Sequence, residues 1–359
     1  MTPPEGREGV EALRVGARHL LPAAERTRDL DVALITGGTS GERDIALITA
    51  DAIAGALGDD GDGRGPRRVD RIEWNPTGDF SRGADCWSFG RLLDELAAYD
   101  VTLLALHGGA GEDGRLQGAL EVAGVAYTGS GPGASALAMN KTQALRVAAS
   151  LGVAIPAGIT LGRTDRNSAS LTDFAGTRPA GGWFVKPESG GSSEATFHVA
   201  RDADLVEAVD AALEKTPRVR IEAAVEGTEV TCPIVGEGPR AESLMPVEIR
   251  PAHGRFFDAE QKYASDGAVE LCPPESFDAA TIAAIREAAL QIHRGFGCRG
   301  LSRVDFIVDA SGRPTFLELN TLPGFTARSL APLSAAHCGL SFRGLCLVLL
   351  DQALITRPG

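Results

Sequence analysis

The chain has 359 residues, enough for two or three domains with substantial cores. Its formal charge of −13 argues against nucleic acid or an anionic membrane as a partner, and 43% hydrophobic with 23% charged content is ordinary for a soluble globular protein. No apolar run approaches the roughly 20 residues of a membrane helix. Residues 1–28 are polar, with Glu among the Arg, and read as an N-terminal extension rather than a signal or transit peptide. Six cysteines form no CxxC pair and read as reduced core thiols, so the expected compartment is the cytoplasm.

Residues 31–36 read as a buried strand that ends in the tight loop Gly37-Gly38-Thr39-Ser40-Gly41-Glu42. A helix follows, with Ile45, Ile48, Ala52, Ile53, Ala56 and Leu57 at amphipathic spacing. Residues 101–106 form a second strand, which runs into His107-Gly108-Gly109-Ala110-Gly111-Glu112-Asp113-Gly114. The alternation through residue 150 predicts a doubly wound parallel sheet, an α/β arrangement with loops at the strand carboxyl ends. After a linker near Gly152 to Pro156, Trp183-Phe184-Val185-Lys186-Pro187 reads as a strand ending in a Gly/Ser loop. A helix over 202–214, a strand over 219–222, further strands from Glu229, a helix near 278–296, two more strands and a terminal helix complete the chain. This second half reads as α+β, with no internal repeat.

The two strands near residue 310 carry the strongest chemistry. Side chains alternate along a strand, so Glu318 and Asn320 share a face, and Arg303 shares one with Asp305. Leu317 and Leu319 are expected to point the other way. Two carboxylates and an amide oxygen suit Mg²⁺, and a cation beside them suggests bound phosphate. A polar rim on a sheet is the plainer alternative. Lys186 before Gly190-Gly191-Ser192-Ser193 could hold a phosphate, although the loop is no Walker A and reads equally well as a surface turn. Taken alone, Lys141 reads as a solvated lysine, Glu42 as compensating a helix dipole or else receiving a substrate ammonium, and His107 as part of a structural loop or else of the ligand edge of an α/β sheet. Tyr263, in the polar stretch Lys262 to Asp266, would by itself be partial packing.

In this order and spacing, the segments resemble the D-alanine–D-alanine ligase family of ATP-grasp enzymes over residues 31–350. They are the 37–42 and 107–114 loops, Tyr127 to Gly131 with 134–136, Met139-Asn140-Lys141, Val185-Lys186-Pro187, 191–193, 262–266 and the 303–330 block. The resemblance implies an ATP-grasp fold, α/β and α+β: a Rossmann-like N-terminal domain over 29–138, a central lobe over 139–225 and a C-terminal lobe over 226–359, the two α+β lobes holding ATP between them. It implies that Lys141 and Lys186 hold the α/β phosphates, Lys262 the γ-phosphate, Glu222 with its following backbone the adenine, and Glu229 the ribose. Asp305, Glu318 and Asn320 would hold two Mg²⁺ ions, with Mn²⁺ as an alternative.

For the first substrate, the resemblance implies that Glu42 receives the ammonium near Ser192 and Tyr263, with Ile45 by the methyl and His107 close by. Arg303 and the Gly324 backbone would stabilise the tetrahedral intermediate, and Ser329 and Leu330 would meet the second substrate's carboxylate. The implied reaction joins two D-alanines for peptidoglycan precursors in a homodimeric enzyme. The alternatives are a specialised-metabolism ligase of other amino or hydroxy acids and a catalytically silent nucleotide-binding homologue. Asn140 stands where the family usually has Asp, Ala46 where Ser is common, Ala223 where Lys is common, and Glu194-Ala195-Thr196 where small or apolar residues are usual.

Overall fold

The computed structural model describes residues 16–58, 61, 63–165, 169–177, 179–190, 196–251 and 268–356. Its first sheet is built from β1 (Asp31–Gly37), β2 (Arg68–Trp74), β3 (Phe80–Arg82), β4 (Asp85–Trp87) and β5 (Val101–Ala105), in the order β4-β3-β2-β1-β5. The central strand β1 is buried on both faces and runs parallel to β2 and β5. The sheet is mixed rather than wholly parallel, because β2, β3 and β4 are joined by short turns and therefore pair antiparallel.

Helix α1 (Arg43–Gly58) covers this sheet, followed by α2 (Phe89–Leu96), α3 (Gly109–Glu112) and α4 (Arg115–Val122). Its buried face is Ala46, Thr49, Ala50, Ile53 and Leu57. Small residues allow α1 to approach the strands closely, which turns Ile48 outward to 54% exposure, contrary to the periodicity reading.

Helices α5 (Pro132–Met139) and α6 (Lys141–Ser150) lead into the second sheet. Along the chain it comprises β6 (Gly158–Gly162), α7 (Ala169–Ala175), β7 (Trp183–Pro187), β8 (Phe197–Val199), α8 (Leu205–Lys215) and β9 (Arg218–Ala223). The strands are antiparallel in the order β6-β9-β7-β8. Leu161, Trp183, Val185, Val219 and Ile221 form one core with residues of α7 and α8. Pleat alternation leaves Phe184, Lys186, Arg220 and Glu222 on the opposite face.

The third sheet contains β10 (Thr228–Val235), β11 (Glu242–Ser243), β12 (Val247–Arg250), β13 (Val269–Leu271), β14 (Leu301–Val308) and β15 (Pro314–Asn320). Its order is β13-β12-β10-β14-β15, with β11 on β10. Val230, Cys232, Val304, Phe306, Phe316 and Leu319 pack beneath it against α9 (Ala279–Gly295) and α6. A register shift between Asp305 and Phe306 sets Phe306 opposite Phe316, so the bulged strand β15 has Leu317 to spare. Phe316 fills the core and Leu317 is only half-buried, unlike the strict alternation expected from sequence.

Helices α10 (Leu330–His337) and α11 (Phe342–Ile355) end the described chain. The run Leu345 to Leu350 of α11 is buried in one core with Val32, Leu34, Ala50 and Ile53. The C-terminal helix therefore packs on the first sheet. The short turn Ala17–Leu20 is stitched to the same region by Ala17 N–H donating to the Cys338 carbonyl at 2.8 Å. All six cysteines are free, but Cys86 is exposed and is no core thiol. No single helix among the described residues is long and apolar enough to cross a membrane.

Candidate active site

The register of β14 against β15 sets Arg303 opposite Asn320 and Asp305 opposite Glu318. Directly opposed residues share a face, so all four side chains rise from one side of the sheet. Arg303 grips Asp305 with two hydrogen bonds, Nε to Oδ1 at 2.9 Å and Nη2 to Oδ2 at 2.7 Å. Thr231, opposite Asp305 on β10, donates its hydroxyl to Oδ1. Burial works against the Arg303 charge, but Asp305, Glu318 and Glu112 more than offset it and hold its pKa above the ordinary value.

Asn320 Nδ2 lies 3.1 Å from Asp305 Oδ2 and 3.5 Å from Glu318 Oε1. Two carboxylates drawn this close call for positive charge between them, and turning the amide over would present its oxygen instead. That donor set fits a hard divalent cation. Among the described residues no three His, Cys, Asp or Glu side chains converge, so such an ion would rely on the Asn320 amide as its third ligand.

The loops after β1 and β5 meet the turn after β15. Gly108 has φ +64°, a backbone conformation that favours glycine, and a Cβ there would press on the Glu42 carboxylate. Ser40 donates its hydroxyl to the His107 carbonyl at 2.7 Å and fixes the two loops together. Buried His107 places Nδ1 3.1 Å from the Leu322 carbonyl and Nε2 3.0 Å from Thr49 Oγ1. A carbonyl only accepts, so Nδ1 carries the proton and Nε2 accepts from Thr49. Burial lowers the His107 pKa, with Arg303 acting in the same direction against Glu42 and the Leu322 carbonyl. The imidazole is thus neutral. Ile45 is half-buried one turn into this corner.

Glu112 ties the corner to the metal wall. It accepts from Gly108 N–H at 2.9 Å and Leu322 N–H at 3.4 Å. Burial, with like charge from Glu42 and Glu318, pushes its carboxyl up to about 7 against those two bonds. Glu42 thus acts on both His107 and Glu112, while Arg303 feels Glu112 and Glu318, so the corner and the acid–amide face are linked. The sequence placed Glu112 in the His107 motif without a role, because one of its partners is Leu322, 210 residues away. Glu270 on β13 was also missed. Burial raises its pKa, while Arg303 and Arg328 pull it down.

Past the wall, a Cβ on Gly324 would meet Ser329 Oγ at 3.4 Å. The Ser329 hydroxyl accepts from Thr326 N–H at 3.0 Å, and Ser329 stands at the N-cap position of α10 without a side-chain bond to the helix. The Leu330 side chain packs with Val247 and Ile249. Its backbone N–H, at the start of α10, is the part suited to a carboxylate.

The remaining candidates lie on and around the second sheet, except Glu229. Lys186 Nζ lies 2.6 Å from Glu222 Oε2, and Lys141 Nζ donates to the Gly190 carbonyl at 2.7 Å. Asn140 caps α6 by accepting from Gln143 N–H at 2.9 Å, as an Asp would, so the departure from Asp keeps the helix start. The N–H groups of Ala223 and Ala224 donate to the carbonyls of Ala157 and Gly182, at 2.8 and 2.9 Å. These two are thus committed to the lobe's own framework rather than to a base. Glu229 sits on β10 opposite Ile307. Ser192, Glu194, Lys262 and Tyr263 lie outside the described residues.

A Rossmann-like sheet followed by two antiparallel sheets, each packed with helices, defines an ATP-grasp fold. The family model "D-ala D-ala ligase C-terminus" matches residues 148–351, and its N-terminal counterpart matches 89–130. A D-alanine–D-alanine ligase of Oleidesulfovibrio alaskensis is 38% identical over 331 residues, covering 90% of this chain and 96% of its own length. That of Anaeromyxobacter sp. (strain K) is 38% identical over 324 residues, covering 90% and 97%. Among solved structures, the VanG D-Ala:D-Ser ligase from Enterococcus faecalis superimposes with a TM-score of 0.76 at 28% identity, covering 92% of this chain and 100% of that one. The D-alanine–D-alanine ligase from Bacillus anthracis complexed with ATP gives 0.75 at 27%, covering 91% and 98%. The chain belongs to the D-alanine–D-alanine ligase family.

Proposed function

We propose that this protein joins two D-alanines into D-alanyl-D-alanine, using ATP, for peptidoglycan precursor synthesis. A carboxylate oxygen of the first D-alanine attacks the γ-phosphorus, ADP leaves, and an acyl phosphate forms. The neutral amine of the second D-alanine attacks the acyl carbon, and the tetrahedral intermediate expels inorganic phosphate.

The observation that carries this reading is the Arg303–Asp305–Asn320–Glu318 face lying in the field of the His107–Glu112 corner. Glu42 would hold the first substrate's ammonium, and neutral His107 keeps the corner free of a competing charge. Ser192 and Tyr263 would complete that pocket, and Ile45 would bound the methyl. Arg303, held charged between carboxylates, and the Gly324 N–H would stabilise the oxyanion of the tetrahedral intermediate. Ser329 and the Leu330 N–H would receive the second carboxylate. Lys141, Lys186 and Lys262 would neutralise the triphosphate, while Glu222 and Glu229 would hold adenine and ribose. Asp305, Glu318 and Asn320 would hold two Mg²⁺ ions, which when bound screen the transferring phosphoryl charge.

The three domains over 29–138, 139–225 and 226–359, and a cytoplasmic setting, are part of this reading. A homodimer through the first domain, which the family resemblance implies, belongs to the same reading. The likeness to a D-Ala:D-Ser ligase favours one alternative acceptor, D-serine.

A panel of D- and L-amino acids with Mg·ATP, read as phosphate release and as dipeptide product, tests the proposal. D-alanine alone should release phosphate and yield its dipeptide. Release only when D-serine or a hydroxy acid accompanies D-alanine would move the acceptor, and no release with D-alanine in any mixture would reject the reading.

A further inference from the structure

Glu222 is held between two cations. Lys186 Nζ lies 2.6 Å from its Oε2, and Arg220 Nε lies 3.2 Å from its Oε1. All three side chains sit on the face of the second sheet opposite its core, with Lys186 opposite Arg220 and Phe184 opposite Glu222. The Glu222 side chain is 3% exposed, that of Arg220 9% and that of Lys186 15%. The place of Arg220 is built into the neighbouring strand. A Cβ on Gly158 of β6 would press on the Ile221 carbonyl and on Arg220, at 2.6 Å from Nη2 and 2.9 Å from Cζ, so glycine there leaves room for both.

We infer that Arg220 is a positioning residue for nucleotide binding: it is the resident counter-ion of Glu222 that frees Lys186 to turn to the phosphates. This rests on the reading of Lys186 and Glu222 as nucleotide ligands. Lys186 cannot serve a phosphate without giving up part of its pairing with Glu222. A carboxylate this buried, stripped of its only cation, would oppose that move strongly. With Arg220 in place the charge stays compensated, and Glu222 keeps its orientation toward the base when Lys186 leaves.

The test is Mg·ADP titration calorimetry, with steady-state kinetics in Mg·ATP at saturating D-alanine, on the wild type and on R220M, R220K, E222Q and R220M/E222Q. R220M should weaken Mg·ADP binding and raise KM for ATP by roughly ten- to a hundredfold, with kcat at saturating ATP far less changed. R220K should recover most of the affinity. In the E222Q background, where no charge needs compensation, adding R220M should cost little more. Thermal melts show whether each variant is folded, and R220Q replaces R220M if the latter is not. Wild-type affinity in a folded R220M or R220Q, or an equal loss in the E222Q background, would overturn the inference. A wild type that fails to bind Mg·ADP would instead reject the nucleotide site itself.

Discussion

His293 shows how a single buried group ties stability to pH. Its Nε2 lies 3.2 Å from the Gly236 carbonyl and its Nδ1 2.7 Å from Ser302 Oγ, so Nε2 carries the proton and the ring is neutral. Burial, then the charge of Arg294, lowers its pKa to about 4 from 6.5. As pH falls, the unfolded chain takes up this proton first. The contribution of His293 to stability is therefore complete above about 6.5 and lost between about 6.5 and 4. Glu112 runs the other way. With its folded pKa near 7 against 4.5, its contribution is present below about 4.5 and lost as pH rises to about 7. His293→Gln should flatten the decline of melting temperature between pH 6.5 and 4, and an undiminished slope would show that His293 is not its source. At this scale the sequence was legible wherever strand alternation decides, as for Asp305, Glu318 and Asn320. It could not give Glu112 its role, since Gly108 and Leu322 come together only in the fold.

Among the elements, α6 is tied at its start to the loop after β7. Its cap, Asn140, accepts from Gln143 N–H and directs its Nδ2 toward Ser189 Oγ at 3.4 Å, and the next residue, Lys141, donates its backbone N–H to the Glu188 carbonyl at 2.8 Å. The helix start and the loop after β7 are thereby held as one unit. Asn140→Ala should lower stability by about 1 kcal/mol in a denaturant titration, and Asn140→Asp should restore it. Equal stability of Asn140→Ala and wild type would mean that the cap carries nothing. Element existence was largely readable, because strands such as 101–105 and 183–187 are apolar runs that end in glycine-rich loops. Which side of α1 is buried was not. Helix periodicity favours Ile48, whereas close approach to the sheet selects Ala46 and Ala50. The bulge at Leu317 was equally hidden, since nothing in an apolar alternation marks an extra residue.

Over the whole molecule, the terminal helix closes the first sheet while the preceding strands carry the acid–amide wall, so the first and last thirds of the chain share one core. That arrangement brings the Glu42–His107 corner to the Arg303 face, although Arg303 lies 196 residues beyond His107 and 261 beyond Glu42. In the proposed reaction the first D-alanine is activated as an acyl phosphate at this junction. D-alanine labelled with ¹⁸O in its carboxylate, incubated with Mg·ATP and the enzyme, tests it directly by mass spectrometry of the released phosphate. The carboxylate oxygen that attacks phosphorus leaves with it, so one ¹⁸O should appear in inorganic phosphate for each dipeptide formed. Dipeptide formation with unlabelled phosphate, or with the label in AMP, would contradict the account.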